Sequence, residues 1–365
     1  MSLDTETGTE PAGNASAIAR VRALSPRETI ELVGISLTAL LAVLMLGFVG
    51  LDWLREAPGG LGSGAELAFG QFMIFGAWLD FLLGTNVFRH PFTWRALATG
   101  TLVGIVGPLV GTYLVHRQMA LIGETLAHTA FAGVAVGLLF VAATGWQGSL
   151  LVVALLVSAL GALGLQWLTE HTDSYGDVPI AIVLTGSFAV GTLLISWGRD
   201  VVAIAIDIEG FLFGSLAIVT ASGARLVSVL SVAVVAVVLY NYKQFLFITF
   251  DEQAARVARL NVAWYNALLV VMTAVVVVGA MQILGVILVA GLLVIPVAAA
   301  SQVARSFRET LYLSILIGQI SVLGGLGVAI SRSLPPGGSI IVIAIAVYLL
   351  AVLLSDRSVG GVSLH

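Results

Sequence analysis

The chain has 365 residues, of which 59% are hydrophobic and only 10% are charged. A soluble domain carries roughly a quarter of its residues as charges, so this composition excludes an ordinary water-soluble protein. A bilayer solvates such apolar surface, and the 41 glycines agree with the small residues that pack helices closely in lipid. The net charge is −4, no basic tract indicates a nucleic-acid partner, and the lack of cysteine excludes disulfides and thiolate metal sites.

The N-terminal part of the chain divides into a polar tail and an apolar extension. Residues 1–29 are polar and mixed in charge, which predicts a disordered tail. Residues 30–90 predict an extension with one or two membrane helices. Within it, 30–50 is apolar enough to span, whereas 66–88 is interrupted by polar side chains. The second segment is predicted either to span or to lie at the interface as an amphipathic helix.

Residues 91–355 predict the main transmembrane domain. A spanning helix needs about 20 mostly apolar residues, and seven stretches meet that need: 93–115, 119–143, 149–168, 179–197, 224–243, 310–331 and 338–355. The apolar stretch 264–303 is too long for one crossing and predicts two helices that meet near Gln282 to Gly285. Residues 200–220 predict a re-entrant outer segment. The fold class is therefore all-α, a polytopic transmembrane bundle of about nine to eleven spans.

Basic residues predict the orientation, because they favour the cytoplasmic side of a membrane. Three clusters fall on one side of the predicted spans and place that side in the cytoplasm: Arg117; Lys243, Arg256 and Arg259; Arg305 and Arg308. The C-terminal residues 356–365 then form a cytoplasmic tail. The basic residues of the N-terminal tail agree only if just one of the first two segments crosses.

Glu124 and His128 are the most informative ionisable pair. Four residues apart in a helix, they project from nearly the same face. A carboxylate oxygen and an imidazole nitrogen are ligands for zinc, and they also suit manganese or ferrous iron. Ionisable groups inside a membrane commonly mark an ion path. The alternative is a Glu–His pair that bonds to a neighbouring helix.

Other charged groups predict surface roles. Asp207 and Glu209 are candidates for drawing cations into an outer mouth, with ordinary boundary residues as the alternative. Two charged segments are candidate docking surfaces for a cytoplasmic partner, with simple solvated loops as the alternative: Asp251, Glu252, Arg256 and Arg259 in the first, and Ser301, Arg305 and Arg308 in the second.

The sequence argues against an enzyme. The single lysine, Lys243, lies in no G-x-x-x-x-G-K-[ST] phosphate-binding loop, so transport driven by ATP requires a separate ATPase subunit. Neither G-x-S-x-G nor H-E-x-x-H occurs. We expect no permanently bound cofactor.

One block of residues resembles a known family. The run from Met119 to Ala135, MALIGETLAHTAFAGVA, is similar to the signature of the zinc/manganese permease family of ABC importers, approximately M-A-L-I-[GS]-D-A-L-S-H-A-x-x-P-G-V-A. Further similar blocks follow in the family's order, and the likeness covers roughly 90–355: Asp177 to Ser196, Leu212 to Ala217, Phe250 to Leu260 and Gly285 to Ala300.

The resemblance implies a permease of the metal/cobalamin-type architecture in the cytoplasmic membrane. It implies a homodimer or paired permease, two cytoplasmic ATPase subunits and an extracytoplasmic metal-binding protein that delivers zinc or manganese. The family's Asp and His, proposed to contact the passing ion, correspond to Glu124 and His128. Glutamate in place of aspartate lengthens the arm, and Ala127 and Ala132 replace the usual serine and proline.

Three alternatives stay open at this point. The first is a related ABC permease for a metal chelate such as a siderophore or cobalamin. The second is a secondary transporter driven by protons or sodium, and the third is a structural membrane scaffold. The sequence does not choose between zinc and manganese.

Overall fold

The computed structural model describes residues 26–146, 148–171, 178–198, 208–215, 219–286 and 288–355. These residues form fourteen helices and no strand, which confirms the all-α prediction. The first six helices are α1 Pro26–Leu54, α2 Gly60–Leu83, α3 Pro91–His116, α4 Leu121–Thr144, α5 Leu150–His171 and α6 Val178–Trp197. The remaining eight are α7 Ile208–Phe213, α8 Ala221–Tyr240, α9 Tyr242–Phe250, α10 Glu252–Val257, α11 Val262–Leu284, α12 Val289–Val303, α13 Phe307–Arg332 and α14 Pro336–Leu354.

Ten of these helices are long and apolar enough to cross a membrane, and α12 is a shorter apolar helix of 15 residues. Every predicted span coincides with one of these eleven helices. The 1–25 and 356–365 portions of the predicted tails lie outside the described residues, as does most of the predicted re-entrant segment.

The centre of the bundle is α3, in which 89% of the most apolar 18-residue stretch is buried. Its glycines explain how neighbouring helices come so close. A Cβ on Gly111 would lie 1.9 Å from the carbonyl oxygen of Leu293 in α12, and one on Gly104 would lie 2.8 Å from the side chain of Gln319 in α13. Small residues let helix backbones approach in lipid, where water provides no hydrophobic driving force between helices.

Polar side chains join α3 to α13 across this close contact. Gln319 donates from Nε2 to the carbonyl oxygen of Thr101 at 2.7 Å, and the hydroxyls of Thr112 and Ser314 lie 3.0 Å apart. All four residues are buried. Because an unpaired polar group in an apolar interior is costly, these bonds set the register of the two helices as well as their separation.

The long apolar stretch before residue 303 is two helices, as predicted. α11 ends at Leu284, and Gly285 has a φ of 76° and a ψ of 162°, a backbone conformation open essentially only to glycine. The break packs against two other chain segments through glycine. A Cβ on Gly214 would lie 1.9 Å from the carbonyl oxygen of Ile283, and one on Gly337 would lie 2.1 Å from that of Leu284. Three chain segments therefore meet backbone to backbone at this point.

The N-terminal extension is held to the bundle by charges. Asp52 near the end of α1 is only 1% exposed and accepts two hydrogen bonds from the guanidinium of Arg95 in α3, at 2.9 and 3.0 Å. Arg225 at the start of α8 bonds to the carbonyl oxygen of Asp52 at 3.1 Å and forms an ion pair with Glu56. The hydrogen bond from Arg225 lowers the pKa of the Glu56 carboxyl. These pairs fix α1 beside α3 and α8.

The glycine contact at the helix break yields a stability prediction with an adjacent control. Gly337→Ala should lower the thermal stability of the purified protein in detergent, because the added methyl group would overlap the Leu284 carbonyl, a strain of about 1–3 kcal/mol. Gly338→Ala should leave stability unchanged or raise it, since nothing lies within 4 Å of its Cβ position. Both variants would be heated to a series of temperatures, and the folded fraction that remains would be measured by size-exclusion chromatography. Equal melting temperatures would contradict this packing.

Candidate functional site

The helix that carries Glu124 and His128 is held rigidly at its start. α3 and α4 are joined by a tight turn in which the amide of Met119 donates to the carbonyl oxygen of Leu114 at 2.8 Å. Within the turn, Gln118 has a φ of 58°, which side-chain-bearing residues seldom adopt. The position of α4 therefore depends directly on the end of α3.

The sides of α4 pack closely against α5 and α6. A Cβ on Gly133 would lie 2.8 Å from the Cα of Ala154 in α5, and one on Gly191 in α6 would lie 2.8 Å from the ring of Phe131. The hydroxyl of Ser158 in α5 also donates to the carbonyl oxygen of Leu126 at 3.3 Å. These contacts fix the rotation of α4, and they leave Glu124 exposed near its start.

Glu124 and His128 lie on one face of α4, one turn apart, as the sequence predicts. Glu124 is in the first turn of α4 and exposed, and His128 is half-buried. The His128 ring meets the edge of Phe188 in α6, with centroids 4.9 Å apart and planes at 80°. Its Nδ1 atom is buried and has no hydrogen-bond partner among the described residues. An unpaired ring nitrogen beside a carboxylate is an arrangement that can contact a cation.

No group of three or more metal-ligating His, Asp or Glu side chains occurs among the described residues. Among the described residues, the pair on α4 therefore offers two candidate ligands and no third. Of the predicted outer-mouth residues, Asp207 lies outside the described residues, and Glu209 lies in α7, where only the backbone is described. That prediction stays a prediction.

The first predicted docking segment forms a short capped helix. Asp251 accepts from the amide of Ala254 at 2.8 Å and caps α10, and Arg259 ends the segment with a φ of 61°. Glu252 lies between two guanidinium groups: that of Arg117 at 3.2 Å and that of Arg256 at 2.7 Å. The sequence did not predict this position for Glu252.

Arg117 links α10 to the turn before α4. Its side chain is only 9% exposed, and it also donates to the amide oxygen of Asn266 in α11 at 2.8 Å. Burial lowers the pKa of Arg117, and the charge of Glu252 acts in the opposite direction. The guanidinium remains charged at neutral pH because its ordinary pKa is so high. Arg117 thus joins three chain segments at the end of α3.

The second predicted docking segment is also ordered by local bonds. Ser301 donates to the carbonyl oxygen of Ala298 at 2.8 Å, and Arg308 donates to the hydroxyl of Tyr312 at 2.9 Å. Glu309 accepts from the amide of Arg305 at 2.6 Å, while Ser306 caps the start of α13. These bonds resemble a capping box, except that Glu309 accepts from the amide of Arg305 and not from that of the N-cap residue Ser306.

Aromatic contacts bring the two docking segments together. The rings of Phe250 and Phe307 have centroids 5.5 Å apart, and the ring of His116 lies 5.0 Å from that of Phe307. The sequence predicted two separate surfaces, whereas the structure brings the two segments together at this ring contact. The two segments together are hereafter called the docking surface, after their predicted role. The only sequence signal for this contact is one aromatic residue at each segment: Phe250 directly before the first and Phe307 within the second.

Beside the docking surface, a polar cavity of about 980 Å³ opens between α4, α5 and α11. Its walls include Met119 in the turn before α4, Gln166 and His171 in α5, and Asn266 in α11. Arg117 and Glu252 also line it. The Arg117–Glu252 pair therefore lines a cavity that extends from the docking surface to the start of α4, the helix that carries His128.

Comparison with known proteins identifies the family. A family model described as the ABC 3 transport family matches residues 89–355, nearly the predicted domain 91–355. The manganese transport system membrane protein MntC of Listeria monocytogenes is 27% identical over 74% of this chain and 94% of its own. The high-affinity zinc uptake system membrane protein ZnuB of Haemophilus influenzae is 24% identical over 72% of this chain and 97% of its own.

Solved structures agree in fold. PsaBC from Streptococcus pneumoniae in complex with Fab has a TM-score of 0.65 and 27% identity, and the match covers 74% of this chain and 94% of that one. An inward-facing putative metal-chelate type ABC transporter has a TM-score of 0.53 at 18% identity, over 86% and 99% of the two chains, and shows the fold alone. The chain belongs to the ABC 3 transport family and is a multi-pass permease of the manganese and zinc type in the cell membrane.

Proposed function

We propose that the chain is the membrane-spanning subunit of an importer that moves manganese or zinc ions into the cell. A separate cytoplasmic ATPase drives it, and an extracytoplasmic metal-binding protein supplies it. The observation that carries the proposal is the pair on α4: an exposed carboxylate one turn from an imidazole whose buried Nδ1 lacks a partner. Relatives named for manganese and zinc transport support the choice of substrate.

Two ligands suit a transported ion better than a stored one. A structural zinc site is closed by four protein ligands, which would hold the ion too firmly for passage. Glu124 and His128 leave the remaining positions for water or for a second copy of the chain, which would face the same pathway in a homodimer. The exposure of Glu124 supports this arrangement, because it leaves the carboxylate open to water or to a second copy of the chain.

The docking surface is the proposed contact for the ATPase. It combines a capped helix, α10, with the start of α13, and it lies on the side that the basic residues place in the cytoplasm. Movement of α10 would act first on Arg117, which is bonded to both Glu252 and Asn266. Because Arg117 directly precedes the turn into α4, this ion pair is the proposed link between ATP hydrolysis and the metal path.

The metal path is tested by uptake of radioactive manganese and zinc in cells that lack their own importer and express this chain with its ATPase and binding protein. Glu124→Gln and His128→Leu should each lower uptake at least about tenfold, since loss of even supporting groups around a metal costs 10–100-fold in affinity. Glu124→Asp should retain uptake, because it keeps the carboxylate on the same face.

Matched controls are Glu66→Gln, which removes another exposed carboxylate, and His90→Asn, which removes a histidine at the start of α3. Both should transport at the rate of the unmodified protein. Normal uptake in the two α4 variants at equal membrane levels would overturn the proposed path. Uptake into liposomes that contain this chain alone would instead favour a secondary transporter, and uptake of a chelate that survives both α4 changes would favour a chelate permease.

The link to the ATPase is tested by comparing two arginines that share Glu252. Arg117→Gln should lower metal uptake several-fold while the ATPase still copurifies and hydrolyses ATP, because a nearly buried pair between helices is lost. Arg256→Gln should leave the Arg117–Glu252 pair intact, since its own pair with Glu252 is an exposed i,i+4 contact of about 0.3–0.5 kcal/mol, so any loss of uptake should come with weaker copurification of the ATPase. Equal effects of the two changes, on uptake or on ATPase assembly, would contradict this link.

A further inference from the structure

Both ends of α2 lie on the same side of the bundle, although the helix is about 35 Å long at 1.5 Å per residue. At its start, a Cβ on Gly62 would lie 2.0 Å from the carbonyl oxygen of Ala57, three residues after α1 ends. Near its end, Asp80 accepts hydrogen bonds from the amides of Val87 and Phe88, both at 2.9 Å. Those residues directly precede α3.

The ends of α1 and α3 are themselves joined. Arg95, in the second turn of α3, forms the bidentate pair with Asp52 near the end of α1. The start of α2 is thus tied to the end of α1, its end is tied to the start of α3, and those two points touch each other. A helix that crossed the membrane would separate its two ends by the thickness of the hydrocarbon core, about 30 Å.

One indole ring packs against the second half of α2. The Trp94 ring in α3 lies 4.6 Å from the ring of Phe72 and 6.5 Å from that of Phe75, centroid to centroid. The same ring lies 6.2 Å from Phe48 in α1, and its Nε1 donates to the carbonyl oxygen of Phe88 at 2.6 Å. The second half of α2 therefore stays at the level at which α1 ends and α3 begins.

The face of α2 that points away from the bundle is apolar. It carries exposed large side chains, of which Phe81 is the most exposed at 86%: Leu67, Ile74, Phe75, Trp78, Phe81 and Leu82. The one exposed charge in the helix is Glu66, since Asp80 is buried. The adjoining helix α1 also exposes apolar side chains, including Leu37 and Leu40, to the surrounding bilayer. Water would solvate neither surface well.

We propose that α2 does not cross the membrane but lies in the outer leaflet, parallel to its surface, with the outward face against lipid acyl chains. Hydropathy does not separate this arrangement from a span, because acyl chains solvate apolar side chains in either orientation. The exposed apolar face continues that of α1, and its lack of charge favours acyl chains over a protein partner or water.

The proposal also fixes the side of the N-terminus. If α1 crosses and α2 does not, the start of α1 at Pro26 lies on the cytoplasmic side, next in sequence to Arg20 and Arg22. The basic residues of the tail then follow the positive-inside rule. With α12 returning the chain inward after α11, the described helices make ten passes in place of the eleven that a crossing α2 would give.

The test uses the absence of cysteine from the chain, which makes single-cysteine variants straightforward. A fluorophore would be attached at Leu67→Cys or Phe81→Cys in proteoliposomes, and its depth measured by quenching with phospholipids that carry a nitroxide at shallow or deep acyl positions. Both sites are exposed on the outward face and 14 residues apart. We expect the same shallow depth at both, whereas a crossing helix would separate them by about 21 Å.

A matched pair in α1 provides the control. Leu40→Cys and Leu54→Cys are also exposed and 14 residues apart, and they should differ in depth by about 20 Å because α1 crosses. Similar separations in both helices would overturn the proposal. If neither α2 site is quenched at any depth, the outward face contacts protein or water, and its assignment to lipid is wrong.

Labelling of intact cells gives an independent readout. Pro58→Cys and Asn86→Cys, exposed positions before and after α2, should both react with a membrane-impermeant maleimide from outside. A cysteine in the first 25 residues should react only after the membrane is opened. Reaction of Asn86→Cys without reaction of Pro58→Cys would place the ends of α2 on opposite sides and refute the proposal.

Discussion

Close approach between helix backbones is the constraint on which the rest of this fold depends. In a bilayer, lipid tails are as apolar as leucine, so helices associate through packing and hydrogen bonds rather than through release of water. At Gly111 and Gly337 the neighbouring carbonyl groups occupy the space that a side chain would need. The central position of α3, the break between α11 and α12 and the attachment of α14 all require that approach.

The two buried aspartates in the described part of the chain both have hydrogen-bond partners for their charge. The buried Asp52 has a bidentate guanidinium partner, and the buried Asp80 is surrounded by backbone amides. Such pairing is the usual condition for keeping a charge away from water. His128 differs from these two carboxylates, because its Nδ1 is buried and has no hydrogen-bond partner among the described residues, on a helix face that also carries Glu124. This arrangement is the basis of the proposed metal path.

Arg117 and Glu124 are only seven residues apart in the sequence, so the proposed link between the ATPase contact and the metal path is short. The turn between α3 and α4 contains only four residues, and one of them, Gln118, has a left-handed backbone conformation. A displacement of Arg117 by α10 would therefore reach α4 through a connection with little slack. The polar cavity lies beside this turn and is lined by both Arg117 and Glu252.

The sequence by itself determined that the chain lives in a membrane, where each apolar helix lies, and that residues 264–303 form two helices. It also determined the pair at Glu124 and His128, because hydropathy and helical spacing are local properties of the chain. Only the tertiary structure decided that α3 is central, that the two docking segments contact each other, and that Glu252 bonds to Arg117, 135 residues away. It also decided that both ends of α2 lie on one side. These features depend on which helices pack together, and a pattern of apolar residues specifies burial in lipid without specifying the neighbour.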